Sequence, residues 1–410
     1  MSKIFYCAFI ATIISSCSTN NALINHVFPD PVDTDSKDIT IQRKATYDIQ
    51  GVYADNEYDG ARLNNFTKVN DNLYRATISP ENYPINASAY YSFRIWADTI
   101  RDIELELFYT KHKHRYTPKI SYDGDHWITL TESEFDTLKA PNIATLRLRI
   151  GPEKLYVSGQ ELYTSEDVKE WVMKLNKHSS VHGDIIGKSK LGRSIPFLDI
   201  YHTTPKDKDA IIIFARQHPP EVTGHYAMES FVEEILSNSR LSRDFRANHR
   251  ILVYPLLNPD GVDEGHWRHN AGGIDLNRDW SNYNQEEPKA VASHAVKMVN
   301  RDNNNVLVGL DFHSTQRDLY YTLSDNLQSS VYPFKDYWLQ GISSSYDDYT
   351  ADDRPNDLNQ PITKGWFYLQ FGAEGITYEI GDETPRDFVR NKGRTAAIEL
   401  MQLLILRNKE

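Results

Sequence analysis

The chain has 410 residues, 40% of them hydrophobic, 25% charged and 12% aromatic, a balance that excludes a disordered or fibrous protein and fits a soluble globular one able to bury a core. Its 45 Lys plus Arg against 57 Asp plus Glu give a formal charge of -12. An acidic surface grips phosphates poorly, so nucleic acid is not an expected partner, and the length suggests two or three domains.

Residues 1–20 read MSKIFYCAFIATIISSCSTN: one cation at Lys3, an apolar run of 11 residues over 4–14 broken only by Thr12, then small residues before Cys17. This is the build of an export signal, too short for the ~20 residues that span a bilayer. Ile14-Ser15-Ser16-Cys17 also resembles a bacterial lipobox, which predicts cleavage after residue 16 and a lipid on Cys17. Only Lys3 is lost with the signal, leaving 44 cations against 57 anions, or -13. The expectation is a lipid-anchored protein of the bacterial cell envelope facing the periplasm, and Ser18 after the lipidated cysteine points to the outer membrane. Residues 17–44 are polar and without periodicity, as in a tether. Asp30, Asp33, Asp35 and Asp38 lack the glycine and final glutamate of a calcium loop and read as solvated.

From about 45 to 158 short runs alternate apolar and polar residues, as in 90–97 (YYSFRIWA), 102–108 (DIELELF) and 143–150 (IATLRLRI). Such period-2 runs separated by turns such as Tyr122-Asp123-Gly124-Asp125 predict an all-β sandwich. His112 and His114 in KHKH are expected on one face of a solvated strand edge. Beyond 159 the pattern becomes strand and helix in alternation. The continuous apolar runs 211–214 (IIIF) and 306–312 (VLVGLDF) suit strands covered on both faces, while Met228, Phe231, Val232, Ile235 and Leu236 have helical spacing. The predicted fold is therefore α/β over 159–410, a mixed, mainly parallel sheet with helices on both faces, preceded by the sandwich.

After the strand at 211 comes ARQHPPEVTGHYAMESF, with His218 and Glu221 three apart and two prolines between them. Nitrogen and oxygen donors on so stiff a support suit a zinc ion, although the pair alone is weak. The strand 306–312 runs into His313, and Gly375-Ile376-Thr377-Tyr378-Glu379 ends another apolar segment with a carboxylate. Between them NPDGVDEGHWRHNAGGIDLNRDW offers Arg268, Asn277 and Arg278, suited to an oxyanion and a carboxylate.

Taken together, HxxE, NPDG, WR, DLNRDW, a strand-terminal DFHS and a strand-terminal TYE resemble the zinc metallocarboxypeptidase family over about 210 to 380. The β-rich segment in front is similar to that of the cytosolic carboxypeptidase branch and its bacterial relatives. The resemblance implies one Zn2+ held by His218, Glu221 and His313 with a position left open, and Asp275 orienting the first histidine. It implies that Arg268 polarises the scissile carbonyl and that Asn277 and Arg278 grip the free C-terminal carboxylate of a peptide. Glu379 would take a proton from the attacking water and pass it to the leaving amine, a Glu-assisted zinc-water mechanism. It further implies that Lys364, at about the right distance before Glu379, sits at the bottom of the side-chain pocket and favours C-terminal Glu or Asp; a solvated loop lysine is the alternative. The family's mobile tyrosine has no secure counterpart among Tyr346, Tyr349 and Tyr368, and His225, His266, His269 and His294 have no place in the motif.

The expected activity is removal of C-terminal residues from peptides. The same residues would also serve an amidase or carboxypeptidase of peptidoglycan stem peptides, or a deacylase of N-acyl amino acids. A catalytically inactive binding lipoprotein would be expected to have lost a ligand or the base, and all four are present.

Overall fold

The computed structural model describes residues 22–407, so Cys17 and the apolar run before it lie outside the described residues. Between Thr46 and Ser158 eleven strands form two sheets. One has six strands in the order Thr46–Ile49, Val52–Asp55, Ser92–Ala97, Leu155–Ser158, Lys119–Ser121 and Ile128–Thr129. The other has five, Asn65–Lys68, Leu73–Ile78, Arg101–Tyr109, Ile143–Ile150 and Phe135–Ala140. Alternation decides what they bury: in Ile143–Ile150 the side chains of Leu146, Leu148 and Ile150 point inward while Arg147 and Arg149 are exposed. They meet Phe93, Ile95, Leu105 and Val157 in one core, which also takes in Trp267 from the second domain.

The histidines of KHKH do not share a strand face. The strand ends at Tyr109, and His112 sits in the following turn at a φ of 59° with its Nε2 2.7 Å from the carbonyl of Ile85. His114 is mostly buried, its Nδ1 bonded to the Tyr109 hydroxyl at 2.8 Å.

In the second domain seven strands form one mixed sheet in the order Val181–Lys188, Ser194–Ile200, His249–Tyr254, Asp209–Ala215, Asn305–Thr315, Glu374–Gly381 and Leu319–Tyr321. Four central strands are parallel; the rest pair antiparallel at the margins. The continuous apolar runs are explained by cover on both sides. Ile211, Ile213 and Ala215 pack with the helices Val222–Ile235, Phe334–Ser344 and Arg386–Arg407, and Ala210, Ile212 and Phe214 pack with Glu286–Arg301 and Thr363–Phe371.

Residues 24–42 differ from the expected tether: they are a strap laid over the second domain as far as Lys37, and Thr40 and Gln42 then bond to Glu81 and Ala61 of the β domain. The Tyr283 hydroxyl donates to the carbonyl of Ile24 at 2.8 Å, Thr34 Oγ1 donates to Asp279 Oδ1 at 2.6 Å, and Gln285 Nε2 donates to the carbonyl of Thr34 at 2.7 Å. Farther on, the amide of Lys37 reaches the carbonyl of Gly272 at 2.8 Å. Phe28, Thr34 and Gln42 are buried.

Candidate active site

The site lies at the C-terminal ends of the parallel strands. Strand Asp209–Ala215 stops just before His218, and Pro219 and Pro220 turn the chain so that Glu221 stands at the head of helix Val222–Ile235. That helix is drawn against the next strand at Gly224, where a Cβ would overlap the carbonyl of His313. Ser314 fixes the contact by accepting the amide of Gly224 at 2.8 Å. Asn305–Thr315 and Glu374–Gly381 run parallel with His313 directly opposite Glu379, which puts a nitrogen donor and a carboxyl at one level.

His218, Glu221 and His313 are all buried, and one donor atom from each lies within 4.8 Å of the others. Glu221 Oε1 is 2.8 Å from His218 Nδ1, and its Oε2 is 2.7 Å from His313 Nδ1. The outer ring nitrogens meet carboxylates: His218 Nε2 lies 2.9 Å from Asp275 Oδ1, and His313 Nε2 lies 2.7 Å from Asp311 Oδ2. Two imidazoles turned inward by outer carboxylates, with a third oxygen donor between them, fit a zinc ion and leave space for a fourth ligand. Burial alone would raise the Glu221 carboxyl, but the two histidines hold it well below the usual range. Asp275 is likewise held low against its burial by Arg268 and His218.

The loop from Asn258 to Trp280 brings up the cations. Arg268 Nε donates to Asp275 Oδ2 at 2.8 Å, and Arg278 Nη1 stands 3.9 Å from the same oxygen. Asn277 presents its amide nitrogen 3.4 Å from His313 Nε2 and accepts the amide of Thr363 at 2.9 Å. All three line a cleft of about 790 Å3 together with His218, Glu221, His313 and Glu379. Burial pushes the Glu379 carboxyl up to about 8, with His313 and Arg268 opposing and Glu221 reinforcing; its Oε2 is buried without a hydrogen-bond partner.

Lys364 is not in this cleft. It is 0% exposed at the start of helix Thr363–Phe371, and its ammonium donates to the carbonyls of Thr322 at 2.6 Å and Asn356 at 2.9 Å and to Asn356 Oδ1 at 2.6 Å. The expected pocket lysine is thus a structural one: the helix turns it inward to satisfy carbonyls of the loops beside it. Tyr346 and Tyr349 pack on Phe388, away from the cleft, while Tyr321, the outward residue of the edge strand Leu319–Tyr321, lines it.

Three further residues contribute that carry no motif in the sequence. Asp311 stands two residues before His313 on one strand, a spacing that puts both side chains on the same side. Glu81, in the β domain, is fully buried and accepts the amides of Trp267 at 2.8 Å, Arg268 at 3.0 Å and His269 at 2.7 Å. Arg115, also from the β domain, lines the cleft and donates from Nε to Asp382 Oδ2 at 2.9 Å. Ser88 and His112 extend that wall, so the cleft is built by both domains.

Residues 168–360, within the second domain, match the family model described as zinc carboxypeptidase. The chain is 30% identical over 198 residues to an uncharacterized protein of Zymomonas mobilis, covering 48% of each. It is 35% identical over 137 residues to cytosolic carboxypeptidase 2 of Xenopus tropicalis, covering 32% of this chain and 14% of that one. The chain thus spans half or less of the length of these curated relatives. A metallo-carboxypeptidase from Burkholderia cenocepacia has the same fold at a TM-score of 0.73 and 14% identity, covering 87% of this chain and 100% of that one. So does a metallo-carboxypeptidase from Pseudomonas aeruginosa, solved in complex with (2-guanidinoethylmercapto)succinic acid, at a TM-score of 0.68 and 16% identity, covering 86% and 98%.

Proposed function

We propose that this chain is a zinc-dependent metallocarboxypeptidase that hydrolyses the C-terminal peptide bond of peptides. The observation that carries the reading is the convergence of His218, Glu221 and His313 on one point, with Glu379 level with His313 and Arg268 and Arg278 in the same cleft. A zinc ion bound by the three donors would supply Lewis acidity and a more acidic water. Asp275 and Asp311 hold the two imidazoles with Nδ1 turned toward that point. Arg268 polarises the scissile carbonyl and stabilises the oxyanion, held in place by Asp275. Asn277 and Arg278 bind the substrate's terminal carboxylate, which places the last peptide bond between Arg268 and Glu379. Glu379 takes the proton of the attacking water and returns it to the departing amine. Its buried, unpartnered oxygen suits that shuttle, because no protein N–H or O–H occupies the lone pair that must accept the proton.

The test is to incubate the purified protein with a mixed peptide pool and measure the products by mass spectrometry. Loss of single C-terminal residues supports the proposal. Cleavage confined to peptidoglycan stem peptides or to N-acyl amino acids would replace it with an amidase or a deacylase, and absence of any hydrolysis would leave a binding protein. The lipobox-like Ile14-Ser15-Ser16-Cys17 supports a lipid-anchored location in the cell envelope, facing the periplasm. Cys17→Ser should move the protein out of the membrane fraction; wild type recovered as soluble protein would refute the anchor.

A further inference from the structure

The cleft presents different walls on the two sides of His218. The Nε2 of that ring faces Asp275, and Arg278 stands 3.9 Å from the same carboxylate, with Asn277 tied to Thr363 beside it. Segment 356–362 and Asp30 of the strap close the cleft there, the Asp30 amide donating to the carbonyl of Asn359 at 3.1 Å. The Nδ1 of His218 faces Glu221, and on that side the wall comes from the β domain, through Ile85, Ser88, His112 and Arg115.

Arg115 is fixed at the end of the strand that carries Glu379. Its Nε and Nη2 both stand 2.9 Å from Asp382 Oδ2, and the amide of Asp382 donates to the carbonyl of Thr315 at 2.7 Å, one step beyond the pairing of Thr315 with Gly381. Asp382 is buried, and burial pushes its carboxyl up to about 6, with Arg115 opposing and Glu221 reinforcing, so the pair lies within electrostatic reach of Glu221. Thr315 is two residues past His313 and Asp382 three past Glu379. At ~3.3 Å per residue, Asp382 stands about 7–10 Å from the level of the centre, two or three residues of an extended peptide. A guanidinium carries five N–H donors. Asp382 takes two of them, Ser88 Oγ takes one from Nη1 at 3.0 Å, and the Ala87 carbonyl lies 3.4 Å from the same nitrogen. At least one N–H of Nη2 thus has no partner among the described residues, while the side chain is 14% exposed and lines the cleft.

We infer that Arg115 is a substrate-binding residue: its remaining N–H donates to a main-chain carbonyl of the peptide, one or two residues to the amino side of the scissile bond. The inference rests on the carboxypeptidase reading, in which a terminal carboxylate on Arg278 and a last amide between Arg268 and Glu379 direct the rest of the peptide toward the β domain. The acceptor is a carbonyl and not a side-chain carboxylate, because Asp382 already matches the charge of Arg115 and a second anion would stand beside it. Recognition is therefore of the backbone and independent of sequence. Peptides that extend beyond the residue next to the cut gain the bond. An N-acyl amino acid does not, since the one carbonyl ahead of its terminal carboxylate is the carbonyl attacked.

Hydrolysis of acetyl-X, acetyl-Ala-X and acetyl-Ala-Ala-X by the zinc-loaded enzyme, with X as Leu, Glu and Lys in turn, tests this. In the wild type kcat/KM should rise about 10- to 100-fold from the first to the last, the worth of a hydrogen bond from a charged donor, and Arg115→Met should flatten the series. A merely structural Arg115, acting through Asp382, would lower all three together and leave the ratio as it was. Whether or not that variant folds, crystals of zinc-loaded Glu379→Gln with uncleaved acetyl-Ala-Ala-X should show an upstream carbonyl about 3 Å from Arg115 Nη2. A flat wild-type series, a ratio unmoved by Arg115→Met, or a crystal with every upstream carbonyl away from Arg115 overturns the inference while the carboxypeptidase reading stands. Hydrolysis of acetyl-X alone, or of none of the three, removes that reading and the inference with it.

Discussion

Asp311 and His313 stand two apart on one strand and turn to the same side, so that Asp311 Oδ2 meets His313 Nε2 at 2.7 Å. The same oxygen takes the side-chain amide of Gln217 at 2.7 Å and the hydroxyl of Thr363. A carboxylate so supplied with donors is fixed in place, and it fixes the imidazole with Nδ1 toward Glu221.

Asp311→Asn keeps the shape and removes the charge. It should weaken zinc retention by about 10- to 100-fold, the usual effect of losing an outer carboxylate behind a ligand histidine. Competition with a fluorescent chelator measures this, and wild-type affinity in the variant would make Asp311 a packing residue only.

His313→Ala and Glu379→Gln should fail in different ways. The first leaves two protein donors and should lose zinc and activity together. The second is isosteric and outside the donor set, so it should keep near-stoichiometric zinc with turnover lowered by at least ~10²-fold. Metal content by mass spectrometry beside initial rates separates the two, and a Glu379→Gln enzyme with near-normal turnover would remove Glu379 from its role.

Lys364→Ala leaves the carbonyls of Thr322 and Asn356 without their donor and opens a cavity in a fully buried place. Stability should fall by about 2–4 kcal/mol in urea unfolding. The ranking of otherwise identical peptides ending in Glu, Leu and Lys should not change, since the ammonium does not reach the cleft. A changed ranking would return Lys364 to substrate selection.

Glu287 is 0% exposed, with Asn270 Nδ2 donating to it at 2.9 Å, and burial, partly opposed by Asn270, pushes its carboxyl from 4.5 up to about 7. The folded protein holds this proton where the unfolded chain releases it. The stabilisation is complete below about pH 4.5 and lost as pH rises through about 7, amounting to on the order of 3 kcal/mol. Glu287→Gln, neutral at every pH, should gain on the wild type between pH 5 and pH 8 by that order in urea titrations. A difference independent of pH would show that the buried carboxyl is ionised throughout.

Much of the centre was legible because its residues follow recognisable strands: the run 306–312 announces a strand covered on both faces and delivers His313 at its end. Asp311 is within reach of the same alternation, but inside an otherwise apolar run a lone carboxylate carries no mark of its partner. Glu81 is not within reach, since it lies 187 residues from Arg268 and only the fold brings them together. Lys364 was located by counting back from Glu379, and counting cannot tell that a helix begins at Thr363 and turns the side chain inward. The strap was missed because it holds on by hydrogen bonds from polar residues without periodicity, which look the same in sequence whether they meet water or protein.

Trp267 and Glu81 bear on how such a protein can be inherited or rebuilt. The indole of one domain sits in the core of the other, and the carboxylate of that other gathers the three amides around Arg268. A crossover at the break after Ser158 would carry every metal donor to a new neighbour intact, yet leave the loop of Arg268 without its anchor. Recombination can therefore exchange the two halves only where the newcomer also brings an apolar socket and a buried acid in register, which binds the cleft wall of one domain and the Arg268 loop of the other into a single heritable piece.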